Sequence, residues 1–243
     1  MKKKIIMLVA AAMMTLSASS AFAAFADLEL IRVAYDRAGN EIATDLGSVS
    51  ALTAPGSTTT IAGSFSGLST GFVAYFALDR LTSELWVSGS TTVVTSITGT
   101  ANGLTSLKSG SVGTYALFNS QGGTNYTGPA SAPNSFKNKL SATQGTLATS
   151  VAAGSRLNTE ASIASLLTTP GSSVTQSLYY FADANTTVAA EKKGVAVATI
   201  TTSADGTTTI NTPTAATPIP PAFFLMGSGL LGMFGLRRKN KVA

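Results

Sequence analysis

Three stretches stand out as apolar from an otherwise alternating chain: Ile5 to Leu16, Phe72 to Leu78 and Ala222 to Leu236. Between the first and the last, short runs of β-branched and aromatic residues alternate with Thr and Ser and are punctuated by Gly, Asn, Asp and Ser. That is the pattern of strands with one face on a core and the other in water. Leu28 to Tyr35 predicts a strand, Asp36-Arg37-Ala38-Gly39-Asn40 a turn, and Glu41 to Leu46 its hairpin partner. Phe72 to Leu78 is continuous enough for a strand buried on both faces. Glu84 to Ser88 alternates, as do parts of Thr91 to Thr98, and Gly113 to Asn119 and Ser177 to Asp183 predict two more strands. The clearest hairpin is Val195 to Thr202, the turn Ser203-Ala204-Asp205-Gly206, and Thr207 to Asn211, because Asp-Gly supplies the positive φ angles of a tight hairpin. Lys137 to Leu167 breaks the pattern. Ala, Leu, Gln and Glu at mixed spacing there, with Asn158 or Thr159 as a cap for Glu160 to Leu167, predict one or two short helices. The expected fold class is mainly β, an antiparallel two-sheet β-sandwich with those helices over a sheet or closing one end.

Composition sharpens this picture. Of 243 residues, 35 are Thr and 29 are Ser, whereas only 11% are charged. Solubility therefore rests on hydroxyls, and Thr suits the wet face of a sheet. The net charge of +5 comes from the ends: Lys2, Lys3 and Lys4, then Arg237, Arg238, Lys239 and Lys241, leave a body with 9 basic and 11 acidic residues. A body without clustered Lys or Arg has no footprint for nucleic acid. With no Cys and no His there are no disulfides, thiolates, imidazole bases or usual zinc ligands. No catalytic, metal or cofactor site is therefore expected.

The ends carry addresses. Lys2 to Lys4, the apolar Ile5 to Leu16, and a small polar stretch closing on Ala21-Phe22-Ala23 form a signal peptide over residues 1–23. Twelve helical residues rise about 18 Å, too little for a hydrocarbon core of about 30 Å, which argues against an N-terminal anchor. A second small-residue site, Ala24-Phe25-Ala26, follows at once. Cleavage after Ala23 is favoured because it leaves a c-region of ordinary length. Signal peptidase is the implied partner.

At the other end, a Thr/Pro linker and motif over 212–221 leads into an apolar segment over 222–236 and a basic tail over 237–243. Fifteen helical residues span about 22 Å, and the preceding Ile219 to Pro221 extend this to about 27 Å, usable with local bilayer thinning. Seven Phe and Leu residues favour insertion by roughly 2–4 kcal/mol, while one Arg at mid-bilayer costs about 3 kcal/mol, so Arg237, Arg238 and Lys239 act as a stop-transfer cluster. The positive-inside rule leaves the tail in the cytoplasm and the β-rich domain, 27–211, outside.

The order of Thr217-Pro218-Ile219-Pro220, a Gly-rich apolar helix and an Arg-rich end resembles the PEP-CTERM class of sorting signals, particularly its VPxPA-type variants. The resemblance covers Thr217 to Lys239 and nothing before it. It implies recognition by an exosortase, an inner-membrane cysteine peptidase of Gram-negative bacteria. Such an enzyme cuts near the proline motif and passes the body to the outer surface, often within an exopolysaccharide matrix. Thr217 stands where the motif has Val, and Ile219 where a Glu lies between the prolines, so the enzyme subtype and the cut position stay open. A plain single-span anchor that is never processed is the other reading of the same residues.

Other motifs resolve to local chemistry. Gly227-Ser228-Gly229-Leu230-Leu231-Gly232 matches a dinucleotide fingerprint but has no βαβ context, and close helix approach in a membrane explains its glycines. Asp36 to Glu41 and Asp183-Ala184-Asn185 are fragments of calcium loops better read as turns. Two functions are carried forward. The first is an exported, non-enzymatic cell-surface or exopolysaccharide-matrix protein. The alternative is a carbohydrate-binding or carboxylate-dependent glycan-cleaving domain, using two of Asp79, Glu84, Asp183 and Glu191 brought within about 5–10 Å. A groove lined by aromatic faces and two convergent carboxylates would favour the second, and a convex Thr-coated surface the first.

Overall fold

The computed structural model describes residues 24–89, 101–141, 159–182 and 194–214. The expected signal peptide, the alternating stretch from Thr91, residues 142–158, Asp183, Glu191 and the tail from residue 215 lie outside these. The folded body is a compact unit ending at Pro213.

Among the described residues ten strands run in chain order: β1 (Glu29–Tyr35), β2 (Asn40–Ser48), β3 (Thr58–Ile61), β4 (Phe72–Asp79), β5 (Glu84–Gly89), β6 (Asn125–Pro129), β7 (Ala161–Ser162), β8 (Ser173–Phe181), β9 (Val195–Ser203) and β10 (Thr208–Asn211). Four helices are interspersed among the described residues: α1 (Val49–Leu52), α2 (Ala101–Asn119), α3 (Phe136–Lys139) and α4 (Ala164–Thr168). All strand pairs are antiparallel, in one sheet ordered β3-β10-β9-β8-β5-β4-β1-β2-β6, with β7 added to β4.

The sheet curls into a half-barrel, and two side chains show how far. Five strand steps separate β1 from β10, about 24 Å if the sheet were flat. Yet Arg32 on β1 reaches Thr208 on β10 at 3.0 Å, and Tyr75 on β4 bonds Thr202 on β9 at 2.6 Å and Thr208 at 3.0 Å. The concave face therefore packs against itself. Leu30, Ala34, Tyr75, Trp86, Leu178, Ile200 and Ile210 fill it, closed by Leu52 of α1, by Leu166 of α4 and by Phe65. The convex face is covered over β1, β2, β4, β5 and β8 by α2 and α3. Ile31, Val33, Phe76, Leu85, Val87, Tyr179 and Phe181 meet Leu107, Tyr115, Phe118 and Phe136 there. Burial of β4 from both sides agrees with its unbroken apolar run.

The mainly antiparallel β class expected from the sequence holds, but the two-sheet sandwich does not. One sheet supplies both walls of the concave core by curling, and where the convex side is covered, helices rather than a second sheet cover it. Gly113 to Asn119, expected as a strand, is the last part of α2. The apolar cluster there belongs to a longer helical stripe, Leu107, Ser111, Tyr115 and Phe118, whose spacing of three and four residues buries one face. Gly113 lets this helix pass Asn134, whose Oδ1 would lie 2.9 Å from a methyl at that position. Of the one or two short helices expected in 137–167, the described residues hold two at its ends, α3, capped by the Ser135 hydroxyl accepting from Asn138 N–H at 3.2 Å, and α4. Glu160 to Ser162, expected as helix, is extended, with Ala161 and Ser162 pairing against β4.

Candidate functional site

The exposed half of the convex face carries the most regular chemistry in the body. Strands β3, β10, β9 and β8 contain no charged residue. Their register sets Thr60, Thr209, Thr201 and Thr175 side by side across all four strands. A second row, Thr58, Asn211 and Thr199, runs beside it and ends at the buried Ser177. Neighbouring hydroxyls touch: Thr60 and Thr209 at 3.3 Å, Thr175 and Thr201 at 3.4 Å, and the Thr58 hydroxyl donates to Asn211 Oδ1 at 3.0 Å. Alternation is the cause. Thr202, Thr208, Ile200 and Ile210 point into the half-barrel, so the residues between them must face water. An open groove of about 330 Å³ adjoins the second row, lined by Ser177, Ala196, Thr199, Asn211, Thr212 and Pro213 among others. It forms where β9 bulges against Leu178 and Tyr179. The whole surface is neutral and presents donors and acceptors at strand spacing, about 4.8 Å apart across the sheet.

The carboxylates named from the sequence are put to other use. Asp79 and Glu84 are cross-strand partners in the β4–β5 hairpin, so the fold does bring these two together. Asp79 Oδ1 accepts from the N–H groups of Leu81 at 2.8 Å and Thr82 at 3.2 Å, closing its own turn. Burial pushes its acidity the other way, but hydrogen bonds from Thr82 and Leu81 prevail and hold the carboxyl below its ordinary value. Glu84 Oε2 accepts the Thr82 hydroxyl at 3.1 Å, and Oε1 accepts the Tyr180 hydroxyl. The bond to Glu84, with burial, pushes the Tyr180 phenol up to about 12. Trp86 lies 4.8 Å from Tyr180, ring centre to ring centre, and is only 9% exposed, which leaves little ring area for a sugar to stack on.

Three buried ionic groups escape sequence reasoning. Glu41 is fully buried and anchors α3, its two oxygens accepting the N–H groups of Phe136 at 2.9 Å and Lys137 at 3.0 Å. Burial pushes its carboxyl up to about 7, against the opposing pull of those two bonds. Glu160 lies buried beside Arg37 at 4.0 Å, and the Arg37 guanidinium sits 4.1 Å over the Phe72 ring. Tyr35 packs against Phe72 and Phe136, with its hydroxyl held protonated by burial and by Glu160. Arg32 is buried inside the half-barrel with no ion pair among the described residues. Its guanidinium donates to Gly206 O, to Thr208 Oγ1, and to Thr44 Oγ1 at 3.1 Å, and burial lowers its pKa. Arg32 and Glu41 sit in strands whose alternation the sequence reveals, but only the strand order shows what each one meets.

Among the described residues no group of three His, Cys, Asp or Glu side chains converges to hold a metal, and no helix is long and apolar enough to cross a membrane. The targeting residues expected from the sequence, Ala21, Ala23, Thr217 to Pro220 and Arg237 to Lys239, lie outside the described residues, as do Asp183 and Glu191. The Asp36 to Glu41 fragment is the β1–β2 turn, with Asp36 Oδ1 accepting from Ala38 N–H at 3.0 Å. No family model matches the chain, and no curated protein or solved structure is significantly similar to it.

Proposed function

We propose that this chain is an exported, non-enzymatic surface or matrix protein. Its N-terminal signal is removed by signal peptidase, and its C-terminal signal is processed by an exosortase-type peptidase. The observation that carries the reading is how the fold sits between the two signals. Phe25 is 1% exposed, packs edge-on against Phe118 at 5.1 Å, and is tied by its N–H to Asp45 and by its carbonyl to Asn119. Cleavage after Ala23 keeps Phe25 in the core, whereas cleavage after Ala26 would remove it. At the other end, Thr212 N–H bonds Ser57 O at 3.0 Å and Gly56 N–H bonds Pro213 O at 3.0 Å. The described body thus takes in the first two residues of the stretch read as linker, Thr212 and Pro213, and a cut near Pro218 to Pro220 would fall beyond its last described strand, β10.

The convex hydroxyl array and its groove fit contact with a neutral, hydroxyl-bearing polysaccharide, because such contacts are hydrogen bonds that salt does not screen. Its convexity, and the way Asp79 and Glu84 are bound up in a turn, favour this reading over glycan cleavage. Intact-mass analysis of the protein from its native cells is expected to give a mature form that begins at Ala24 and lacks the apolar segment 222–236. Deleting Pro218 to Ala243 is expected to release the protein to the periplasm or medium. Retention of both termini in the native protein, or unchanged surface display after the deletion, would reject the sorting reading.

A further inference from the structure

An open sheet has two edges, and this protein treats them differently. At the β6 edge, the bonds of Ala130 N–H to Gly39 O and of Asp45 N–H to Thr124 O set the parity, so Asn125, Thr127 and Pro129 turn their backbone groups outward. Pro129 has no N–H to offer. Thr127 is occupied at both groups: its N–H donates to Gln121 Oε1 at 3.0 Å and its carbonyl accepts from Gln121 Nε2 at 2.7 Å. A side-chain amide thus stands in for a neighbouring strand, a means of blocking an edge.

Among the described residues, the β3 edge has no such guard. Thr212 N–H bonded to Ser57 O marks that pair as inward, so Thr59 and Ile61 bond β10, while Thr58 and Thr60 point their N–H and C=O away from the sheet. Both residues are exposed, and no described group takes up these backbone positions. The strand holds no Lys, no Pro and no bulge, the usual deterrents to edge pairing.

We propose that β3 is a pairing edge for a second copy of this chain, joined antiparallel about a two-fold axis through Thr59. Of the symmetric registers this one uses every outward group: Thr58 of each copy faces Thr60 of the other, giving four backbone hydrogen bonds. A second copy is the occupant because the strand is self-complementary, Thr58-Thr59-Thr60 reading alike in both directions. Charge agrees, since β3, β10, β9 and β8 carry none and two copies bring no like charges together. The join would continue the rows of hydroxyls from one copy into the next. Four residues bury far less than the about 1,200 Å² of a stable dimer, so pairing is reversible and fills where copies are crowded.

The chain's lack of cysteine supplies the test. In this register the two Thr59 residues form a non-hydrogen-bonded pair with Cα atoms about 4.5 Å apart, within disulfide reach. The full chain carrying Thr59→Cys, purified in detergent and oxidised, is expected to give a disulfide-linked dimer at least about tenfold above Thr127→Cys on the guarded edge. Adding Thr60→Pro removes an outward N–H that β10 does not use, so the fold is kept and the dimer is expected to disappear. If circular dichroism shows that this variant unfolds, Thr58→Lys with Thr60→Lys replaces it, since position 58 of each copy faces position 60 of the other and like charges would then repel across both pairs. Equal cross-linking at the two edges, or a Thr59→Cys dimer that survives the Thr60 change in a folded protein, overturns the proposal. Neither readout depends on export, so either proposal can fail while the other stands.

Discussion

Arg32 shows most clearly what one residue does here. Its planar fork spans β2, β10 and the β9–β10 turn, so it holds the curl of the sheet shut. Space around it is fully used: a methyl at Gly63 would overlap both the guanidinium and the Gly206 carbonyl. Arg32→Ala is expected to lower stability by about 3 kcal/mol, from lost charge-assisted bonds and a new void. That corresponds to a fall of about 6–12 °C in melting temperature by calorimetry. Arg32→Lys should recover less than half, because an ammonium cannot reproduce the fork. Gly63→Ala should cost a similar amount, and combining it with Arg32→Ala should be less than additive, since the first change removes what the second collides with.

At the scale of elements, the guarded β6 edge makes a separate prediction. Gln121→Ala removes both bonds to Thr127 while leaving the β2–β6 pairing intact. Amide exchange at Thr127 should then speed up by roughly tenfold or more, with little change in global stability, as read by hydrogen exchange. Elements also show where the sequence was informative. The β9–β10 hairpin was legible because Val-Ala-Val-Ala-Thr-Ile alternates and Asp205-Gly206 dictates the turn, and Gly206 does adopt φ 85°. β3 was not legible, since Thr58 to Ile61 holds one apolar residue and forms only because β10 supplies its single neighbour. β6, Asn-Tyr-Thr-Gly-Pro, reads as a turn by composition and is a strand by pairing. The end of α2 misleads the other way, because seven residues cannot distinguish a strand from the apolar face of a helix.

For the whole molecule, pH acts through Glu41. Its carboxyl titrates near 7 in the fold, above its ordinary 4.5, so between those values the folded state holds a proton that the unfolded chain has lost. Stability is then greatest at the acid end of this window and falls as pH rises through it, by on the order of 3 kcal/mol. Urea midpoints at pH 5 and pH 8 should differ in that direction, and Glu41→Gln should flatten the difference while lowering stability at pH 5. The candidate site follows the same logic of scale. A surplus of Thr on wet faces was visible in the sequence, but a two-row array spread over four strands depends on registers that join Thr58–Ile61 to residues about 150 positions away, and no local pattern encodes those.

That separation also has a temporal side. β3 is among the early strands to be synthesised, yet its one partner is the last strand of the body. However the chain is delivered, by ribosome or by translocation channel with its N-terminus leading, Thr58 to Ile61 must wait until Thr208 to Asn211 has emerged. The final join of the sheet is therefore made only when nearly all of the body is out, a few residues before the tail begins. Any chain cut short between β9 and Thr208 is left with β9 as a bare, uncharged edge and Thr58 to Ile61 with no strand to join, which marks incomplete copies as the ones most prone to clump.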